Sequence, residues 1–156
     1  MQRTLVLIKP DAVQRRLIGK IINRFEEKGF EIIGLRLMVI SEEMARKNYS
    51  VHKGKSFYEK LIKFMISGPV VVMALRGKNV IDVMRKMMGY TAGHEAIPGT
   101  IRGDLAMSER FNLIHGSDSA ESAEKEIKLF FGKKDLIEHR QTDLKWIYDM
   151  SGDDIT

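Results

Sequence analysis

Four short apolar runs of strand length, separated by stretches of helical period, constrain this chain more than any other feature. The run "TLVLIKP" is continuous, closes at Pro10, and reads as a buried strand. "FEIIGLRLMVI" is a second strand, longer and mixed, "VVVMALRG" a third, and "FNLIH" a fourth. Between the first two, Ile18, Ile21, Ile22 and Phe25 recur at helical spacing and Gly29 stands where a helix ends. After the third, Asn79 is placed to cap a helix whose apolar face is Val80, Val83, Met84 and Met87, ended by Gly89. After the fourth, a helix opening near Asp118 or Ser119 carries Ala120, Ala123, Ile127 and Phe130 on one face. Ser41 opens a further helical stretch, and Ser56-x-x-Glu59 reads as a capping box for its partner, with Phe57, Leu61, Phe64 and Met65 apolar.

Setting that helical hairpin aside leaves strand, helix, strand, strand, helix, strand. This is the α+β, ferredoxin-like βαββαβ order: a four-stranded antiparallel sheet with helices packed on one face and the hairpin as an insertion. A doubly wound parallel sheet would want a glycine-rich nucleotide loop after its first strand, and no such loop is present. The chain has 156 residues, which is one ordinary domain, and its 44% apolar and 30% charged residues are a soluble globular balance. The reading is therefore one domain over 1–156, with a short acidic tail at 150–156. No apolar run reaches a membrane-spanning length, the N-terminus lacks a secretory core, and cytoplasmic location without membrane contact is expected. Without cysteine there is no disulfide or thiolate metal site. A net charge of +5 points to an anionic partner, although solubility alone accounts for it equally well.

Several motifs fail on inspection. "HKGKS" ends like a phosphate-binding loop, but Tyr49 stands where the first glycine belongs and no strand precedes it. His52, His94 and His139 lack metal-ligand spacing and read as solvated surface residues. The stretch Tyr90 to Phe111 has little periodicity, and a loop of that length inside a compact domain is usually functional.

"NLIHGSDSAESAEKEI" is different. His115 closes a strand just before a helix N-terminus, where backbone amides and the helix dipole favour an anion. Imidazole is a capable nucleophile near neutral pH, so these features together suggest a phosphorylatable histidine. Asp118 and Ser119 are placed to cap the helix, leaving Ser117 free to bond phosphate or the ring, and Glu126 two turns on to fix the tautomer. A core histidine at a strand end is the plainer reading of this segment alone. The rest of the chain shifts the balance: Lys9 at a strand end, Arg85 and Arg102 flanking the long loop with Thr91 between them, and "PGTIRGD" for close backbone approach supply what a triphosphate requires.

"TLVLIKPDAVQRRLIGKIINRFEEKGFEI", "SGPVVVMAL", "PGTIRGD" and "NLIHGSDSAESAEKEI" resemble the nucleoside diphosphate kinases in order and spacing, from about Thr4 to Tyr148. The resemblance implies a phosphotransferase with a ping-pong mechanism. The γ-phosphate of ATP or another nucleoside triphosphate passes through phosphohistidine at His115 to a nucleoside diphosphate, with Mg²⁺ on the nucleotide phosphates and no direct protein metal site. It implies that Glu126 and Ser117 support His115, that Lys9 and Tyr49 lie near the γ-phosphate, and that Lys9 and Asn112 touch the sugar. Arg85, Thr91 and Arg102 would hold the outer phosphates, and Phe57, beside Leu61, would stack on the base. A base held by stacking is tolerated whatever its identity, so broad base specificity is expected. A homo-oligomer is implied, most often a hexamer and sometimes a tetramer.

The chain departs from the family's pattern at Ala92-Gly93 in place of Asn-Pro, which predicts a more mobile loop and altered subunit contacts. Ser56 and Tyr58 replace a Pro and a second Phe beside Phe57. Glu109 stands where an apolar residue often covers the other face of the base, leaving that face open or covered by another group. Two rival readings are weighed. An RNA-recognition domain should carry aromatic residues on its central strands, and "VLIKP" and "VVVMALRG" have none. Nucleic acid therefore remains only a weak secondary partner. An inactive oligomeric scaffold should lack some of the chemical side chains, and all are present.

Overall fold

The computed structural model describes residues 1–139 and 141–151. Strand β1 (Gln2–Ile8) leads into the short helix α1 (Pro10–Gln14), with Pro10 at its first position, where a missing N–H costs nothing. Helix α2 (Ile18–Glu27) follows and breaks at Gly29, whose φ of +83° suits a residue without Cβ. Strand β2 (Glu31–Met38) is followed by the hairpin of α3 (Glu42–Asn48) and α4 (Tyr58–Met65). Then come β3 (Val70–Gly77), α5 (Val80–Met88), α6 (Ile101–Leu105), β4 (Ile114–Gly116), α7 (Ala120–Phe130) and α8 (Leu144–Ile147).

The four strands form one antiparallel sheet in the order β2-β3-β1-β4, the ferredoxin-like arrangement. Helices cover both of its faces rather than one. Val6, Ile8, Val71, Met73 and Leu75 pack against Ile21 and Phe25 of α2 and Met84 of α5. Leu5, Leu7, Val70, Val72 and Ala74 pack against Ala45, Ile62 and Met65 of the hairpin and Ile127 and Phe130 of α7. Burial on both faces is why β1 and β3 read as continuous apolar runs instead of alternating ones.

Local differences from the sequence reading have physical causes. Ser41 caps α3 by accepting from the Met44 N–H, and Ser119 caps α7 by accepting from Ser122. Ser56 caps nothing, because the chain already winds through a turn closed by Tyr58 N–H to the Lys55 carbonyl, and α4 starts from Phe57. Asn79 holds the N-cap position of α5 in a left-handed conformation, φ +50°, without a side-chain bond. The fourth strand is only three residues, because Leu113 before it has φ +71°. Ala120 is exposed, so α7 buries Ala123, Ile127 and Phe130 alone. The C-terminal segment is anchored by Ile147 against Gly29 and by the Tyr148 hydroxyl, which accepts from Lys78 N–H, while Trp146 is exposed. Most of the acidic tail, residues 152–156, lies outside the described residues.

Candidate active site

The site is an open cleft of about 1620 Å³ between the α3–α4 hairpin, the loop from Gly89 to Asn112, and the β4–α7 junction. Of the residues singled out from sequence, Lys9, Tyr49, Phe57, Leu61, Arg85, Thr91, Arg102, Asn112, His115 and Glu126 all line it. Ser117 does not. It is buried behind the wall, where its hydroxyl donates to Glu126 Oε2 at 2.6 Å and accepts from the Leu5 N–H at 3.2 Å. Ser117 is thus committed to Glu126 and not free for the ring or a phosphate.

His115 stands on β4, paired with Leu7 of the central strand, so rigid structure fixes its backbone. Its Nε2 lies 3.0 Å from Glu126 Oε1, and Tyr49 meets the ring edge-on at 5.4 Å between centroids. The β4–α7 junction and the second turn of α7 therefore set Ser117, Glu126 and His115 in one hydrogen-bonded chain, in which the carboxylate takes an Nε2–H proton and Nδ1 keeps its lone pair. Among the described residues the buried Tyr49 hydroxyl has no hydrogen-bond partner, and its ionisation is pushed up, first by burial and then by the Glu126 charge, so it is a neutral donor.

Lys9 and Arg102 are held by neutral oxygens. Lys9 is buried at the end of β1 and donates to Asn112 Oδ1 at 2.6 Å. Burial, then the Arg102 charge, lowers its pKa to about 8, with Asp11 opposing. Arg102 donates from Nε to the Asn112 carbonyl at 3.2 Å, from Nη1 to that of Gly89 at 3.0 Å, and from Nη2 to that of Ile114 at 2.7 Å. Three of its five donors are used, which leaves two for a ligand. Burial and then Arg85 pull its pKa down to about 10. A polyanion entering the cleft would relieve both depressions at once.

Asn112 works as a bracket. Its amide N–H groups go to the Thr91 carbonyl at 2.9 Å and the Glu109 carbonyl at 2.8 Å, while its oxygen holds Lys9. The loop with Ala92-Gly93 is tied down by Gly93 N–H to the Ser108 carbonyl at 3.3 Å and by His94 Nδ1 to the Met107 carbonyl at 3.1 Å. The first of these bonds exists because residue 93 is not a proline. Tyr58 is buried and points its hydroxyl at the Arg46 carbonyl, away from the cleft, so of these two neighbours Phe57 offers the half-exposed ring there.

His52 was read as a surface residue, yet it lines the cleft, 5.4 Å from the Phe57 ring and 6.4 Å from Tyr49. The 3₁₀ turn Ser50–His52 brings it there, and no sequence signal marks that turn. Burial, then Lys55 and His115, lower its pKa. His94 and His139 are exposed, as expected. No cluster of three or more His, Asp or Glu able to cage a metal occurs among the described residues.

Residues 2–136 match the family model described as nucleoside diphosphate kinase. A nucleoside diphosphate kinase of Methanocaldococcus jannaschii is 57% identical over 137 residues, 88% of this chain and 98% of that one. One from Roseiflexus sp. strain RS-1 is 51% identical over 150 residues, 96% of this chain and 100% of its own length. Among solved structures, a halophilic nucleoside diphosphate kinase from Halobacterium salinarum in complex with CDP superposes with a TM-score of 0.93 at 42% identity, covering 95% of this chain and 99% of that one.

Proposed function

Because this chain belongs to the nucleoside diphosphate kinase family and is a phosphotransferase acting on nucleotides, we propose that His115 Nδ1 is the atom that carries the phosphate. The observation that supports this is the bond from His115 Nε2 to Glu126, which leaves Nδ1 as the lone pair beside the cleft's cations.

In the first half-reaction Nδ1 attacks the γ-phosphorus, the bond to the β–γ bridging oxygen breaks, and the diphosphate leaves with the electron pair. In the second, a terminal oxygen of the acceptor diphosphate attacks the same phosphorus and His115 leaves as a neutral imidazole. Phosphorylation at Nδ1 makes the ring cationic, and Glu126 offsets that charge through the Nε2–H, with the Ser117 hydroxyl holding its second oxygen. Lys9, Arg85 and Arg102 spread positive charge around the phosphates, and Tyr49 and Thr91 supply neutral donors. Phe57 stacks on the base beside Leu61. The CDP held by the Halobacterium relative supports broad base acceptance here too.

The family works with a divalent cation, and we assign Mg²⁺. A hard cation that keeps phosphate oxygens and waters as ligands needs no protein cage, which fits this donor set; Glu109 and Asp118 on the cleft wall can take hydrogen bonds from its water shell. Bound, it neutralises charge on the transferring phosphate. No helix among the described residues is long and apolar enough to cross a membrane, and we place the enzyme in the cytoplasm with its substrates.

We also assign a homo-oligomer, a hexamer by family habit. Leu35 and Leu37 of the edge strand β2 and Val39 just past its end are 55%, 63% and 66% exposed, a row that a second copy would cover. Steady-state kinetics with ATP and GDP test the site. Parallel double-reciprocal lines that vanish in His115→Ala are expected; a His115→Ala enzyme turning over at the wild-type rate would place the carrier elsewhere.

A further inference from the structure

We propose that Arg46 is a positioning residue for phosphate transfer: its bond to Glu59 clasps the neck of the 49–57 loop and so holds Tyr49, His52 and Phe57 in register with His115. This rests on the nucleotide-transfer reading of the cleft. Tyr49 ends α3 and Phe57 stands at the N-terminus of α4. Both line the cleft, as does His52 between them. The three rings form a string, Tyr49 to His52 at 6.4 Å and His52 to Phe57 at 5.4 Å, and its inner end, Tyr49, meets the His115 ring. The loop itself is tied only locally: among the described residues, the backbone bonds of residues 50–56 join positions three apart.

What closes the neck is one guanidinium. Arg46, just before Tyr49, donates from Nη1 and Nη2 to the two carboxylate oxygens of Glu59, just after Phe57, both at 2.9 Å. Its Nε donates to Glu42 one turn back at 2.8 Å, and its Cζ lies 5.7 Å from the centroid of the Tyr58 ring. The Arg46 bond holds the Glu59 carboxyl below its usual range. A single exposed ion pair contributes little, but a two-point fork already oriented by a second carboxylate and a ring loses less freedom on closing. Deeper in the hairpin Ala45, Ile62 and Met65 are locked into the core. The two helices therefore stand without the clasp, and what depends on it is the loop.

The test measures KM and kcat for ATP and GDP in wild type, Arg46→Met, Glu59→Gln, the double variant and Glu42→Gln. Arg46→Met keeps an apolar stem beside Tyr58 and removes the fork. The KM for both nucleotides should rise about threefold to fivefold in Arg46→Met and equally in Glu59→Gln, with kcat changed by less than about twofold. The double variant should be no worse than either single one, because both remove the same bond. Glu42→Gln, which leaves the bond between the helices, should stay near wild type. Raising the ionic strength from about 0.02 to about 0.5 M should draw the ratio of the Arg46→Met KM to that of wild type toward one, since salt screens the exposed pair. An unchanged KM in folded Arg46→Met overturns the proposal. So do additive losses in the double variant, a ratio that salt does not move, or a loss in Glu42→Gln equal to that in Arg46→Met. Phosphate labelling of His115 by saturating γ-labelled ATP, followed in the same proteins, separates these outcomes from failure of the transfer reading: label with an unchanged KM removes Arg46 alone, and no label on folded wild type removes the reading beneath it.

Discussion

At His115 one ring nitrogen is committed and the other is available, and the commitment is made by a carboxylate that is itself held by a buried serine. Glu126→Gln keeps the shape but no longer offsets the cationic phosphohistidine, so kcat should fall on the order of 10²-fold with KM little changed. Stopped-flow and steady-state kinetics read that split. Lys9 gives a pH prediction with a definite sign. Its pKa falls from 10.5 to about 8 in the folded, nucleotide-free chain, so between those values the folded state holds fewer protons than the unfolded one. Its burial therefore costs stability that is fully felt below pH 8 and recovered as pH rises toward 10.5. Lys9→Met should gain up to about 3 kcal/mol at pH 7 and lose that advantage across this window, read by denaturant melts at several pH values. Nucleotide affinity of the wild type should move the opposite way, weakening as pH rises through about 8, where the ammonium loses its proton; isothermal titration with ADP measures it.

Among the elements, α6 positions Arg102 by close approach. A Cβ on Gly103 would run into the Ile97 carbonyl oxygen, and the Gly103 N–H is held by Thr100 Oγ1 at 3.0 Å. Helix propensity favours Gly→Ala, whereas this packing opposes it. Gly103→Ala should therefore destabilise by about 1–3 kcal/mol and raise the KM for ATP, as thermal melts and kinetics would show. Elements buried on two faces, β1 and β3, were legible in the sequence because burial writes a continuous apolar run. The five-residue helices α1 and α6 were not, since one turn has no period to detect. Leu113 at φ +71° was illegible because side chains of its shape seldom adopt that region, and it shortened the strand expected as "FNLIH". The candidate site was legible where chemistry and spacing coincide, as at His115, Lys9, Arg102 and Glu126. It was not legible where partners come from distant chain. Ser117 is fixed by Leu5, 112 residues away, and His52 is turned into the cleft by a single 3₁₀ turn.

For the whole molecule, two apolar layers clamp a sheet whose adjacent strands β1 and β4 present Lys9 and His115 to one cleft, while the opposite edge, β2, carries its apolar row outward. Leu37→Lys should weaken self-association without unfolding the chain, seen as a lower sedimentation coefficient at equal concentration; an unchanged coefficient would move the interface elsewhere. The central claim is phosphate transfer through His115, and incubation with Mg²⁺ and γ-labelled ATP tests it most directly. The account predicts acid-labile, alkali-stable label on the wild type, discharged as GTP when GDP is added, and none on folded His115→Ala. Label that survives in His115→Ala, or a folded wild type that never acquires any, would contradict it.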